Sequence, residues 1–374
     1  MKKTIKTIAM GVIAPALLAL STFSFAGSWK TENLNGMTVY VYTPTTSPAR
    51  NGKRALMINL HGCAQTNSDL KNGGNWKPTA DKYGMVVAIP GVPGGGVIAG
   101  CWDYYGTNQS RSNKYNDNLI GLANTLKNRG SLNIDSKQVY ISGLSSGASQ
   151  SMVVGCLAPE IFAGVGINAG PTIGTSSSQI GSVQTNKNAA KNLCNNWAGS
   201  RKSHFSTQIT SAVYGSSDYL VAQGYSQLNV DVMKAVGNPL GWNKKVNGLG
   251  HEWPAGGGPG GAYIKNSGYN YPNGLTDWLC KNNRRAGGSC NPGGGGGGGT
   301  PTPTPTATPP PSGLYCGRTT NLNHYNAGRA IRNGVPPYEN YSAKGSYQWL
   351  GYASDRKRIK ESRTGYFVKT SSCP

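Results

Sequence analysis

The sequence predicts an α/β fold, a mostly parallel sheet with helices on both faces. Three observations predict it. Short apolar, β-branched runs end at turn residues, stretches between them carry hydrophobic residues at helical spacing, and the two kinds alternate through the large N-terminal part of the chain. In order, residues 38–43 alternate β-branched residues with tyrosines, and 55–60 and 85–90 are short apolar strands. Residues 76–83 between those strands suit a helix. Residues 116–129 place Leu119, Ile120, Leu122, Ala123 and Leu126 on one helical face. Strands follow at 138–142, 162–168 and 209–214, with helices at 148–156 and 228–236.

Composition narrows the function classes. The 374 residues hold 36 Lys+Arg against 14 Asp+Glu, a formal charge of +22 that reflects scarce acids more than abundant bases. Four histidines and 14 carboxylates leave little material for a multi-metal centre, and no metal or other cofactor is implied. No GxxxxGK[ST] phosphate loop occurs, and the glycines of residues 164–170 have the wrong spacing for a dinucleotide fingerprint. The positive charge alone suits a polyanion, but no nucleic-acid-binding motif accompanies it, so no specific nucleic acid is expected.

Both ends of the chain carry organisational signals. Lys2, Lys3 and Lys6, an apolar stretch from Ile8 to Leu20 and Ser24-x-Ala26 make residues 1–26 a secretory signal peptide. The apolar stretch is too short to anchor the chain in a bilayer, which takes ~20 residues. The mature protein is thus expected outside the cell. In that oxidising setting eight cysteines and no CxxC spacing favour disulfides. Residues 291–312, a glycine run followed by Thr-Pro repeats, read as a linker between a domain at 27–290 and a module at 313–374. So small a module needs a staple, expected at Cys316–Cys373. Six cysteines remain, with 15 possible pairings; the sequential set, Cys63–Cys101, Cys156–Cys194 and Cys280–Cys290, is the working assignment.

The sharpest chemical signal is Gly143-Leu144-Ser145-Ser146-Gly147, after one predicted strand and before a predicted helix. GxSxG in that context is a nucleophile elbow, a turn that lifts the serine oxygen above the sheet edge. The chain order Ser, acid, His then restricts the partners. Between Ser145 and His251 only Glu160, Asp218 and Asp231 are acidic; Asp218 sits in a Gly/Ser turn at a strand end, Asp231 in a predicted helix, and Glu160 has no strand before it. His251, in the glycine-rich 248–254 loop, is favoured over His204, which lies among Arg201, Lys202 and Ser203. The expected triad is Ser145, Asp218 and His251. The expected oxyanion donors are the backbone N–H groups of Ser146 and Cys63, with His61 and Gly62 shaping the loop after the strand 55–60. Trp102 and Trp253 are expected to line the substrate pocket.

Leu60-His61-Gly62-Cys63-Ala64-Gln65, Gly100-Cys101-Trp102, the serine pentapeptide and Gly250-His251-Glu252-Trp253-Pro254 together resemble extracellular short-chain-length polyhydroxyalkanoate depolymerases. These belong to a wider esterase group with feruloyl and acetylxylan esterases. The resemblance spans roughly residues 30–285 and implies an α/β-hydrolase that cleaves poly(3-hydroxybutyrate) esters, with a linker and a terminal polymer-binding module. One departure is Tyr214-Gly215, where related esterases often have His-Gly. The module itself has seven tyrosines, Trp349, Phe367 and ten Lys/Arg against three acids, suiting either a polymer-binding face or an aromatic core under a solvated charged surface. The alternatives are a feruloyl- or acetylxylan-type polysaccharide esterase and a surface-binding protein with incidental esterase activity. The exact polymer, the mode of cleavage and the oligomeric state are not encoded in any motif.

Overall fold

The computed structural model describes residues 27–293, 316–327, 329–333, 340–344, 348–351, 354–363 and 366–371. The expected signal peptide 1–26, most of the linker and Cys373 lie outside the described residues. The chain divides into two compact units, Met1–Gly297 and Gly298–Pro374.

In the first unit the elements run β1 (Ser28–Leu34), β2 (Met37–Thr43), β3 (Arg54–Leu60), α1 (Asn67–Gly73), α2 (Trp76–Tyr83), β4 (Val86–Pro90) and α3 (Asn116–Lys127). Then come β5 (Ile134–Leu144), α4 (Ser146–Leu157), β6 (Gly164–Asn168), α5 (Lys187–Ala198), β7 (Ile209–Gly215), α6 (Gly224–Val236), β8 (Gly241–Val246) and α7 (Tyr271–Asn282). The strands form one eight-stranded sheet in the order β1-β2-β4-β3-β5-β6-β7-β8. The β1–β2 and β2–β4 pairs are antiparallel and all the others parallel. The fold is therefore the expected α/β class.

Period-two alternation along the central strands sends side chains into two cores, one on each face. Leu56, Ile58 and Leu60 of β3 and Val139 and Ile141 of β5 meet the buried faces of α3 and α4. Met57 and Tyr140 point the other way, among Trp76 and Tyr83 of α2 and Leu275 and Leu279 of α7. Every residue of α4 is buried, which is why its sequence shows no polar face.

The central strands fall where the sequence predicts them, whereas β1, α1, α5, β8 and α7 carry no comparable apolar pattern, for several reasons. β1 and β8 are the sheet edges, mostly exposed or half-buried, so neither is an apolar run. α5 buries only Ala190, Cys194 and Ala198, one small residue per turn. α7 carries Pro272 and Gly274, which read as turn residues, yet Asn270 caps its N-terminus and the proline sits in the first turn, where its missing N–H costs nothing. α1 is fixed by a capping box between Thr66 and Asp69.

Among the described residues of the first unit, disulfides join Cys63 to Cys101, Cys156 to Cys194 and Cys280 to Cys290. The second links α4 to α5, giving the polar α5 a covalent hold on the core.

The second unit contains two three-stranded antiparallel sheets. One joins Cys316–Thr320, Arg356–Arg363 and Tyr366–Lys369; the other joins Ala330–Asn333, Asn340–Ala343 and Trp349–Gly351. Its described core is Ala330, Tyr341, Ala343, Leu350, Ile359 and Phe367. Tyr341 and Phe367 are thus core residues, whereas Tyr325 is exposed. The expected partner of Cys316, Cys373, is outside the described residues.

The Cys156–Cys194 bridge spans 38 residues of sequence. The double replacement Cys156→Ala/Cys194→Ala is expected to lower the unfolding free energy by about 4 kcal/mol, the loop-closure value for that length. Denaturant titration of the pure protein under oxidising conditions measures it.

Candidate active site

Ser145 stands between β5 and α4 with φ 56° and ψ −118°, a conformation that non-glycine residues rarely adopt. Its N–H donates to the carbonyl of Asn168 at the end of β6, at 2.9 Å. Gly147 permits the turn: a Cβ there would lie 2.4 Å from the His61 carbonyl oxygen. The turn is therefore packed directly onto the loop that follows β3.

The acid and the imidazole come from two adjacent loops. Asp218 follows β7, and both N–H groups of Leu220 and Val221 donate to its Oδ1, at 3.0 and 2.9 Å. Its Oδ2 accepts from His251 Nδ1 at 2.8 Å, with the carboxylate 1% exposed and the imidazole 10%. Gly215 is what lets the loops meet, since a Cβ there would lie 2.1 Å from the Leu249 carbonyl oxygen. That departure from His-Gly leaves the glycine, which geometry requires, in place. Ser145 and His251 line one cavity of about 170 Å³, together with Gly62, Cys63 and Ser146. No hydrogen bond joins the Ser145 hydroxyl to the imidazole among the described residues, and such bonds commonly tighten only once substrate is bound.

Gly62, Cys63 and the first residue of α4, Ser146, border the cavity near Ser145. Neither the Cys63 nor the Ser146 N–H has an acceptor among the described residues, and the latter belongs to the electropositive end of α4. The Cys63–Cys101 disulfide and the Ala64 N–H to Ala99 carbonyl bond, at 2.7 Å, tie this loop to the 93–101 loop. His61 is buried behind it. Its Nδ1 bonds the Gly62 carbonyl at 2.8 Å and its Nε2 accepts from the Val92 N–H at 3.2 Å. Burial pushes its pKa below the ordinary 6.5, so the ring stays neutral and shapes the loop.

The two tryptophans depart from expectation: neither lines the cavity. Trp102 is fully buried, its ring packed on His61 and Tyr115 and its backbone N–H donating to the Ser146 hydroxyl at 3.3 Å. Trp253 is fully buried too, its indole N–H on the Gly74 carbonyl and its ring against Trp76 and Tyr271. Large flat rings next to motif residues are anchors here, because the core beneath each loop offers them more contact than the cavity does. The apolar wall is instead Tyr104, Tyr105, Ile98, Ile180, Leu220 and Tyr263. Burial raises the Tyr104 hydroxyl well above its ordinary pKa, so it remains a protonated donor.

Of the residues set aside, Glu160 pairs with Arg111, Asp231 accepts from Gln227 within its own helix, and His204 is exposed. Two positioning residues escaped the sequence reading. Asn168, fully buried, accepts from Ser145 through its carbonyl and donates from Nδ2 to the Glu252 carbonyl at 3.2 Å, bracing the serine turn against the histidine loop. Gln65 accepts from the Gly62 N–H at 2.8 Å and donates to the Ala262 carbonyl, linking the 61–65 loop to the segment bearing Tyr263. Position at a strand's C-terminal end was the only signal for the first.

Comparison with known proteins settles the family. The model named "Esterase PHB depolymerase" matches residues 38–227, just over half of the chain. The chain belongs to this family. It is 41% identical over 298 residues to a poly(3-hydroxybutyrate) depolymerase of Ralstonia pickettii, an alignment covering 70% of this chain and 61% of that relative. It is 28% identical over 148 residues to acetylxylan esterase A of Aspergillus ficuum, covering 38% of this chain and 45% of that one. The chain therefore spans about three fifths or less of the length of these relatives. Among solved structures, an acetyl xylan esterase from Aspergillus awamori superposes with a TM-score of 0.50 at 17% identity, covering 61% of this chain and 94% of that one, which speaks to fold.

His61 predicts a pH effect. A folded pKa below 6.5 means that the unfolded chain takes up the proton first, so the stabilisation is complete above pH 6.5 and is lost as pH falls below it. The drop in unfolding free energy between neutral and mildly acidic pH is expected to be smaller in His61→Gln than in the wild type, measured by denaturant titration across that range.

Proposed function

We propose that this member of the esterase PHB depolymerase family is a secreted serine esterase that hydrolyses poly(3-hydroxybutyrate) through an acyl-enzyme. In this reading residues 1–26 direct export, 27–290 are the catalytic domain, 291–312 the linker and 313–374 a substrate-attachment module. The observation that carries it is one cavity bordered by a strained serine, an Asp-bound imidazole and two unoccupied backbone donors.

Ser145 Oγ attacks the ester carbonyl carbon while His251 Nε2 takes its proton. Asp218 accepts from Nδ1, which keeps Nε2 unprotonated at the start and stabilises the imidazolium that forms. The tetrahedral oxyanion receives the Cys63 and Ser146 N–H groups, each such donor being worth about 3 kcal/mol in the transition state. Collapse breaks the C–O bond, and His251 returns the proton to the leaving hydroxyl end of the polymer. Water, deprotonated by the same imidazole, then attacks the acyl-serine; the acyl–Oγ bond breaks, His251 returns the proton to Ser145 Oγ and a carboxylate end leaves. The aliphatic and phenolic cavity wall suits a short hydroxyalkanoate acyl unit with its methyl branch. A feruloylated or acetylated polysaccharide is the competing substrate, consistent with the similarity to acetylxylan esterase A.

Clearing of a poly(3-hydroxybutyrate) film with release of 3-hydroxybutyrate oligomers is the expected result. Turnover on acetylated or feruloylated xylan without film clearing would overturn the polyester assignment. Ser145→Ala should abolish turnover of film and soluble p-nitrophenyl esters alike, and Asp218→Asn should lower kcat about 10⁴-fold by the tautomer argument. Full soluble-ester activity in Ser145→Ala would sink the mechanism.

A further inference from the structure

The second unit carries a concentration of positive charge that ester hydrolysis in the first does not use. Arg318, Arg356, Lys357, Arg358 and Lys369 border one open cavity of about 490 Å³, with Thr370 and Ser371 completing its rim. Among the described residues no aromatic or acidic side chain borders it, and no carboxylate pairs with any of the five cations.

The sheet register brings these charges together. The strand Arg356–Arg363 lies antiparallel between Cys316–Thr320 and Tyr366–Lys369, and Arg358 stands directly opposite Arg318. Opposed residues share a face at about 5 Å, and like charges so placed destabilise a sheet. Arg356, two residues along the same strand, adds a third arginine to that face at about 7 Å. Arg358 is held at the rim, its Nη1 donating to the Ser371 carbonyl at 2.6 Å while its own carbonyl accepts from the Thr370 N–H at 3.0 Å. Arg318, Arg356 and Lys369 are exposed, and none of the five cations belongs to the described core of the unit. The fold bears their mutual repulsion without an acid of its own to answer it.

We infer that this cleft binds a compact anion with adjoining phosphate groups. The inference does not rest on which ester the first unit hydrolyses, and it gives the second unit a ligand other than the polymer. Guanidinium forks match the oxygens of phosphate and carboxylate alike. Charge density decides between them. A phosphate group brings up to about two charges on three acceptor oxygens, so two adjoining groups answer most of the five cations. Carboxylates bring one charge each and would have to crowd. Single-stranded nucleic acid is disfavoured, because no aromatic side chain borders the cleft for a base to stack on.

The test is calorimetric titration of the full-length protein with tripolyphosphate at low salt. Saturable binding at a single site is expected, weakening as salt is raised. Arg318→Gln/Arg358→Gln should raise Kd at least about ten-fold, because each lost guanidinium takes charge-assisted hydrogen bonds with it. Arg318→Lys/Arg358→Lys keeps the charge without the forks and should fall between. Folding is read separately: relieving two opposed like charges should leave thermal unfolding of the ligand-free protein unchanged or raised, and tripolyphosphate should raise it further only in the wild type. Absence of saturable binding to the wild type overturns the site, as does equal affinity in the wild type and the glutamine variant. Citrate bound as tightly as tripolyphosphate overturns the phosphate assignment. Tighter binding of 3-hydroxybutyrate oligomers overturns it as well, by giving the cleft to the carboxylate ends of the polymer. Should the glutamine variant unfold, the lysine variant decides, and wild-type affinity there rejects the arginine cleft.

Discussion

The backbone of Ser145 is where the architecture converges. Its φ of 56° and ψ of −118° are costly for a side-chain-bearing residue and persist because neighbours hold them from several directions. Asn168 at the end of β6 accepts its N–H, Gly147 lets the turn press against the loop after β3, and α4 begins at the very next residue. Those contacts need β3, β5 and β6 side by side and parallel, ending at the same edge. The sheet order is thus a condition for the serine's geometry as well as for the core.

The same edge explains how distant residues meet. Asp218 follows β7 and His251 the loop after β8, neighbouring strands in the sheet. Close passage at Gly215 and the Ser217 N–H on the Leu249 carbonyl bring their loops into register. Trp253, two residues beyond the histidine, sinks between Trp76 and Tyr271 and fixes the far side of that loop. Stiff anchoring matters for an imidazole that must face a carboxylate with one nitrogen and a cavity with the other.

Much of this was legible in the chain before any coordinates. Central strands are buried on both faces, so they appear as continuous apolar runs, and GxSxG between a strand and a helix is a local signal. Scarcity helped as well: within residues 27–290 only His204 and His251 follow Ser145, and only three acids lie between Ser145 and His251, which left few combinations. Edge strands β1 and β8 and the polar helix α5 were not legible, because elements that bury little leave little pattern. The two tryptophans misled for a related reason. An aromatic beside a motif has no local mark that says whether it faces the cavity or the core.

By itself the sequence determined the alternation of strands and helices, the cysteine inventory and the serine turn, all properties carried by spacing and residue type over short windows. Only the tertiary structure decided that Asn168 spans the serine and histidine loops and that Tyr104 and Tyr105 instead of Trp102 and Trp253 wall the cavity. Those are relations between residues tens to hundreds of positions apart. They exist only once the parallel sheet has brought the loops after its strands to a common edge.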